Sequence, residues 1–177
     1  MRQKDVDARW TKKNNETHYG YKNHINADEA NKRVQSYAVT DASVHDSQVF
    51  GELLDQTAGD NGDKRAVYAD SAYRSEEKEV QLTEDHIPSQ ICEKSKRDHP
   101  LAEGQKAANH LKSKVRVRVE HIFAAQAQMG GHVVRTVGKL RAAVKIGLMN
   151  LVYNRVWLGQ LMKRGGRWHG RGAPEMA

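Results

Sequence analysis

The chain of 177 residues has a single cysteine, Cys92. No internal disulfide can form, and a reducing, cytoplasmic compartment is the default expectation. No apolar run approaches the roughly 20 residues of a membrane span, so a membrane is not an expected partner. The opening stretch, MRQKDVDARWTKKNNE, has no apolar core of a secretion signal. Nine histidines are scattered without a zinc-binding spacing. No internal repeat is present. The sharpest shortage is of negative charge. Between Gly104 and Pro174 stand fourteen Lys and Arg but one carboxylate, Glu120.

What is present is correspondingly lopsided. Residues 1–103 carry 15 Lys and Arg against 20 Asp and Glu, a net of −5. Residues 104–177 carry 14 against 2, a net of +12. A basic half points to a polyanion, most often nucleic acid. A solvated basic face or an anionic lipid surface is the alternative that charge leaves open.

The length suits one domain with a sizeable core. Residues 1–16 read as polar and irregular. The alternation in THYGYKNHINAD and then RVQSYAVTD predicts two strands, paired as an antiparallel hairpin with a turn near Asp28. ASVHDSQVFGELLDQ shifts to helical spacing, with Val49, Phe50, Leu53 and Leu54 on one face and Ser or Asp as its cap. His45 and Asp46 read as capping residues at its start. RAVYAD is a short apolar strand ending on Asp70. SEEKEVQLTEDH follows as a helix capped by Ser75, and IPSQICEK as a further strand. A long helix is predicted from Gln105 to about Met129, stopped by Gly130 and Gly131. A last helix runs from about Lys139 to Met162, with Leu140, Val144, Leu148, Leu151 and Val152 as its apolar stripe. Residues 164–177 read as a disordered basic tail.

Two carboxylates stand in unusual places. Asp70 ends an apolar strand, where α/β sheets bind ligands and where a metal ligand or a simple cap would both sit. Glu120 lies on the long helix beside an apolar stripe of Val115, Val119, Ile122 and Phe123. Arg116 shares its face one turn earlier. An i, i+4 ion pair accounts for Glu120 in isolation, but not for the loss of every other acid around it. A surface built only for phosphate would lose this acid too. A retained acid is better understood as holding a cation such as Mg²⁺, which takes one or two carboxylates together with substrate phosphates. Two metals about 3.5–4 Å apart can activate water and stabilise the leaving oxygen of a phosphodiester.

YADSAYR at 68–74 and RVRVEHIF at 116–123 resemble the second and third acidic motifs of DDE transposases, closest to bacterial insertion sequences of the four and five groups. YGYKNH at 19–24, VTDASVHDSQVF at 39–50, QMGG and the final apolar helix are similar as well, so the likeness spans about residues 5–160. The resemblance implies an α/β fold of the RNase H-like kind, a mixed sheet flanked by helices. It implies Mg²⁺- or Mn²⁺-dependent cutting and rejoining of DNA at element ends and target, by a domain over 1–163. It makes Asp70 and Glu120 catalytic and metal-binding, and Arg116 the arginine of the Tyr-Arg-Glu-Lys signature. Ser113 and Ala127 replace that signature's tyrosine and lysine. The first acid of the family lies on an earlier strand, which this chain is expected to lack. Asp5 and Asp7, in a polar stretch, are not expected to replace it. On that expectation the chain is a truncated copy, inactive alone, with a homo-oligomer as one assembly it allows. A basic nucleic-acid-binding module without chemistry is the alternative.

The basic residues divide by element. Lys22 and His24 on the hairpin and Arg74 beyond Asp70 are candidates for DNA contact, although an exposed hairpin face accounts for the first two equally well. Lys112, Lys114, Arg116 and Arg118 are the candidates on the long helix. Arg135, Lys139 and Arg141 follow it. His121 is expected to pack or to bind phosphate. Trp10, Trp157 and Trp168 read as packing or tail residues.

Overall fold

A computed structural model of the chain describes residues 5–13, 15–54, 65–95, 100–131 and 133–165. Its sheet has three antiparallel strands in the order β1-β2-β3, namely Arg9–Lys13, Glu16–Ala27 and Val34–Asp41. The predicted hairpin is β2 and β3, in register from Tyr21↔Asp41 to Ala27↔Val34 with an irregularity at Asn26/Ala27. Its turn is built by Asp28, whose carboxylate accepts from the Ala30 amide at 3.1 Å and from Asn31 Nδ2 at 3.0 Å.

β1 corrects the irregular reading of residues 1–16. Trp10 is 63% exposed, so no apolar alternation advertises the strand. It is held by pairing to β2 and by a cross-strand aromatic contact, Trp10 on Tyr19, with ring centroids 4.8 Å apart. Asn15, at φ 65°, reverses the chain between the two strands in a region that asparagine tolerates.

Alternation along β2 decides what each side chain meets. Ile25 and Ala27 face one core with Val34, Ile122, Tyr153 and Trp157. Lys22, His24 and Asn26 face the other way, under residues 44–53. The helix predicted over that second segment is broken in two. Asp46–Gln48 is a 3-10 turn, and α1 is a single turn, Phe50–Leu53. The intervening Val49, at φ −95° and ψ 2°, leaves helical geometry. His45 caps the first turn as expected, with Nδ1 accepting from the Ser47 amide, and neither Ser nor Asp does so. Asn26 and Ser36 fasten the α1 end to the sheet through the Leu53 carbonyl, at 2.8 and 3.2 Å.

The two further strands of the expected mixed sheet are shorter than predicted. They meet in one parallel bridge, Val67↔Ser89. Backbone bonds from Gln90 to Val67 O (2.8 Å) and from Cys92 to Ala69 O (3.1 Å) extend it. Among the described residues this pairing is not laddered to β1-β2-β3. Pro88 supplies a carbonyl but no N–H, which limits the ladder there. The bridge packs with α2, Glu76–Glu84, around Phe50, Leu82, Ile87 and Ile91. Ser75 caps α2 as predicted, accepting from the Lys78 amide at 3.3 Å.

α3 spans Glu103–Gln126 and passes into a π-turn, Ala127–Gly131, where Gly130 at φ 81° ends the helical path. α4 spans Lys139–Lys163. Its buried positions are Ala142, Ile146, Asn150 and Tyr153. The predicted stripe lies on the outside instead, with Leu140 79% and Leu151 63% exposed. α4 is apolar nearly all round, so hydrophobicity alone cannot choose its inner face. Small residues and amides choose it here. Tyr37 Oη comes against Gly147 so closely that a Cβ there would collide with it. The tail expected beyond residue 163 lies largely outside the described residues. Trp168 lies there too.

Candidate functional site

Asp70 follows directly on the parallel bridge. Its backbone is extended, and Oδ1 accepts from the Ser71 amide at 2.7 Å, capping a 3-10 turn over Ser71–Tyr73. The carboxylate is exposed. Arg74, at the end of that turn, folds back. Its Nη1 donates to Ile91 O at 3.4 Å and its Nε lies 3.6 Å from Glu79. Tyr73 packs on Phe50, and burial first, then the charges of Asp46 and Asp70, push its hydroxyl up to about 12.

α3 is docked onto the partner of that bridge. Asn109 takes both backbone groups of Glu93, accepting at 2.8 Å and donating at 3.0 Å. Lys112 Nζ donates to Ile91 O at 3.2 Å, and Ser113 meets Cys92 at 3.9 Å. Cys92 in turn bonds Ala69, the residue before Asp70. Positions 109, 113, 116 and 120 recur at helical spacing, so Glu120 continues the docking face. It stands seven residues beyond Ser113, about 10 Å farther along the axis. There it is exposed and pairs with Arg116, Nη1 to Oε1 at 3.1 Å. Asp70 and Glu120 therefore flank one strand–helix contact at different levels. No group of three or more His, Cys, Asp or Glu side chains converges among the described residues.

The far end of α3 is fixed by an amide cluster that sequence reasoning did not find. Asn150 Oδ1 accepts from Asn23 Nδ2 at 3.1 Å and from Gln126 Nε2 at 2.8 Å, and Asn150 Nδ2 donates to Asn23 Oδ1 at 3.3 Å. Gln126 and Asn150 are 2% and 3% exposed. One turn on, Asn154 both donates to and accepts from the Val34 backbone, each at 2.9 Å. Tyr153 donates to Lys32 O at 2.9 Å, and Trp157 to Asn31 O. The available signal was the recurrence of Asn at 150 and 154 within an apolar helix.

Asp5 and Asp7 have a structural task. α4 begins at Gly138, whose φ of 91° favours glycine and which has no side chain to cap with. Asp5 Oδ2 accepts from the Gly138 amide at 2.9 Å, and Asp7 Oδ2 from the Lys139 amide at 3.1 Å. Tyr21 Oη donates to Asp5 at 2.9 Å. The Gly138 amide, more than any other group, holds the Asp5 carboxyl below its ordinary range.

The basic candidates separate into two sets. Lys22 donates to Val44 O at 2.8 Å and lies 3.4 Å from Asp46. His24 is 7% exposed, bonded to Thr40 Oγ1 at 2.8 Å and 3.5 Å from Asp46. Burial is the main reason its pKa is lowered. Because β2 turns both side chains under residues 44–53, His24 has no edge for a phosphate. Asp46, expected as a cap, instead lies against the Lys22 ammonium and the His24 ring. Arg118 reaches Glu29, through the backbone oxygen and through Oε1 at 3.7 Å. Arg74, Lys112 and Arg116 are engaged as described above. Lys114, Arg135, Lys139 and Arg141 are exposed, and their side chains make no hydrogen bond or ion pair among the described residues. His121 is exposed rather than packed. Trp157 does pack, stacked on Tyr153 at 6.4 Å.

Asp70 thus ends a strand, Glu120 lies on the basic helix docked beside it, and exposed cations lie beyond. The family profile described as the transposase DDE domain matches residues 1–155, and the chain belongs to that family of DNA transposases. It is 36% identical over 120 residues to the transposase for insertion sequence element IS1106 of Neisseria meningitidis serogroup B. The matched stretch is 68% of this chain and 40% of that relative, so the chain spans well under half of the relative's length. No solved structure matches it. No helix among the described residues is long and apolar enough to cross a membrane.

Proposed function

We propose that residues 1–163 form the catalytic part of an insertion-sequence transposase, with an RNase H-like arrangement, which cuts and joins DNA at element ends. The observation that carries this reading is the position of Glu120. It is the one carboxylate in a strongly basic stretch, and it lies on the α3 face docked beside the strand that ends on Asp70. Both groups are exposed oxygen donors of the kind Mg²⁺ and Mn²⁺ accept. Each has one oxygen committed, to Ser71 and to Arg116 respectively, which leaves a second oxygen for a cation. When bound, such an ion activates the attacking oxygen and stabilises the leaving one. Arg116 would steady the Glu120 carboxylate through the one oxygen, with the other free to take a cation. Asp5 and Asp7 are committed to α4, so the family's first acid is not drawn from them.

A second reading, a nucleic-acid-binding module without chemistry, is favoured by the separate local roles of the two acids. Thermal melts with and without Mn²⁺ divide the two. At tenfold excess over its Kd, a shared ion should stabilise the fold by about 1.4 kcal/mol. D70N and E120Q should each abolish that gain. Loss of the Arg116 pair alone should cost E120Q only about 0.3–0.5 kcal/mol. An equal Mn²⁺ shift in all three proteins, or none in the wild type, would favour the second reading.

A further inference from the structure

The loop between α3 and α4 forms an open cleft with the second turn of α4, lined by Gly130, Val133, Arg135, Thr136 and Lys145. We propose that this cleft is a seat for one phosphate group of a nucleic-acid backbone, held by Arg135, Lys145 and the Thr136 hydroxyl. The proposal rests on the DNA-acting reading and adds to it a defined contact away from Asp70 and Glu120.

Three observations support it. Thr136 Oγ1 is buried and has no hydrogen-bond partner in the structure. Buried side-chain polar atoms are paired in the large majority of cases, so an orphaned hydroxyl on a residue that lines the cleft calls for a partner that is not protein. A hydroxyl can donate to a phosphate oxygen. Second, Arg135 and Lys145 are exposed, and neither makes a hydrogen bond or ion pair among the described residues. Most cations of α3 are differently placed. Lys106 pairs with Glu103, Lys112 with a carbonyl and Arg116 with Glu120. Guanidinium, ammonium and hydroxyl donors on one cleft match the acceptor-only surface of phosphate. Third, no carboxylate occurs between Glu120 and Glu175. Asp5 and Asp7, which reach the start of α4, accept from the amides of Gly138 and Lys139 respectively, and neither lines the cleft.

The same donors would take free phosphate, so the test needs an arm for each source. Binding of the full chain to a fluorescent duplex is followed by anisotropy over a salt series. The variants are R135A, K145A, T136V and, as a control of equal charge loss, R155A on the exposed side of α4. R135A and K145A are expected to weaken binding about 5–10-fold and to lower the salt slope by about 1. T136V is expected to weaken it about 3-fold, the scale of one hydrogen bond. R155A is expected to change affinity less than 2-fold. Melting temperatures identify any variant whose fold is disturbed, and R135K then replaces R135A. If R155A weakens binding as much as R135A and K145A, the basic half binds diffusely and the seat is refuted while DNA binding stands. If T136V, R135A and K145A are all neutral, the seat is likewise refuted. If the wild type binds no duplex but broadens the ³¹P resonance of inorganic phosphate, and R135A abolishes the broadening, the cleft is an anion seat. In that case the nucleic-acid reading fails. Absence of both signals overturns both.

Discussion

Replacing Asn150 by Leu should be among the most destabilising single changes in the molecule. The side chain is 3% exposed and joins β2, α3 and α4 through three hydrogen bonds. Leucine is similar in size, so the cavity term is small and the loss is mainly of partners. Gln126 is 2% exposed, and its amide nitrogen would be left buried without an acceptor. An orphaned buried group costs about 1–3 kcal/mol. Asn23 is only part-buried and can turn some of its amide to water. The two together give about 3 kcal/mol, or a fall of roughly 6–12 °C in melting temperature for a chain of this size. Chemical denaturation of N150L, Q126M and the double variant measures it. Because the penalty comes from the orphaned amide, the double variant should be more stable than the sum of the singles predicts, by about 1–2 kcal/mol. Strict additivity, or a neutral N150L, would mean that the cluster does not hold α3 against the sheet.

Three further outcomes follow from the electrostatics and caps. His24 has a folded pKa below its ordinary 6.5, chiefly through burial. The unfolded chain therefore binds the extra proton first, so the stability from a neutral His24 is complete above about 6.5 and declines as the pH falls below it. H24Q should flatten the stability profile between pH 7 and 5, as read by urea melts. Asp5 is likewise depressed, so its contribution is present above the ordinary 3.8 and is lost as the pH falls through its lower folded value. D5N should abolish that acid-side loss and raise hydrogen exchange at the Gly138 and Lys139 amides selectively. G138A should destabilise by about 1–2 kcal/mol, because φ 91° is costly for a residue with a Cβ. Differential scanning calorimetry would detect it.

The parts of this fold that were legible in the sequence are those where burial and polarity alternate. β2 and β3 carry Ile25, Ala27 and Val34 into one core, and the turn at Asp28 has an ordinary turn composition. β1 escaped because an edge strand stabilised by an exposed Trp10–Tyr19 pair has no inward apolar row. The inner face of α4 was misread because Ala142, Gly147 and Asn150 were selected by close approach and hydrogen bonding, whereas Leu140 and Leu148 remain outside. Asp70 and Glu120 stand out in the sequence for a different reason. One ends an apolar run, and the other is alone among cations, and neither signal depends on packing. Strand alternation tells that Lys22 and His24 share a face, not whether that face is covered. That information lies in residues 44–53, which fold over them.

The proposed sharing of one divalent ion by Asp70 and Glu120 is tested most directly by iron-directed cleavage of the chain. Fe²⁺ bound in place of Mg²⁺, with ascorbate and peroxide, cuts the polypeptide next to the ion. Mass spectrometry of the fragments should find breaks near residue 70 and near residue 120 in the wild-type chain with DNA present. Excess Mg²⁺ should suppress both, and E120Q should remove both together. Breaks near only one of the two residues, or breaks near 70 that survive E120Q unchanged, would contradict a shared site.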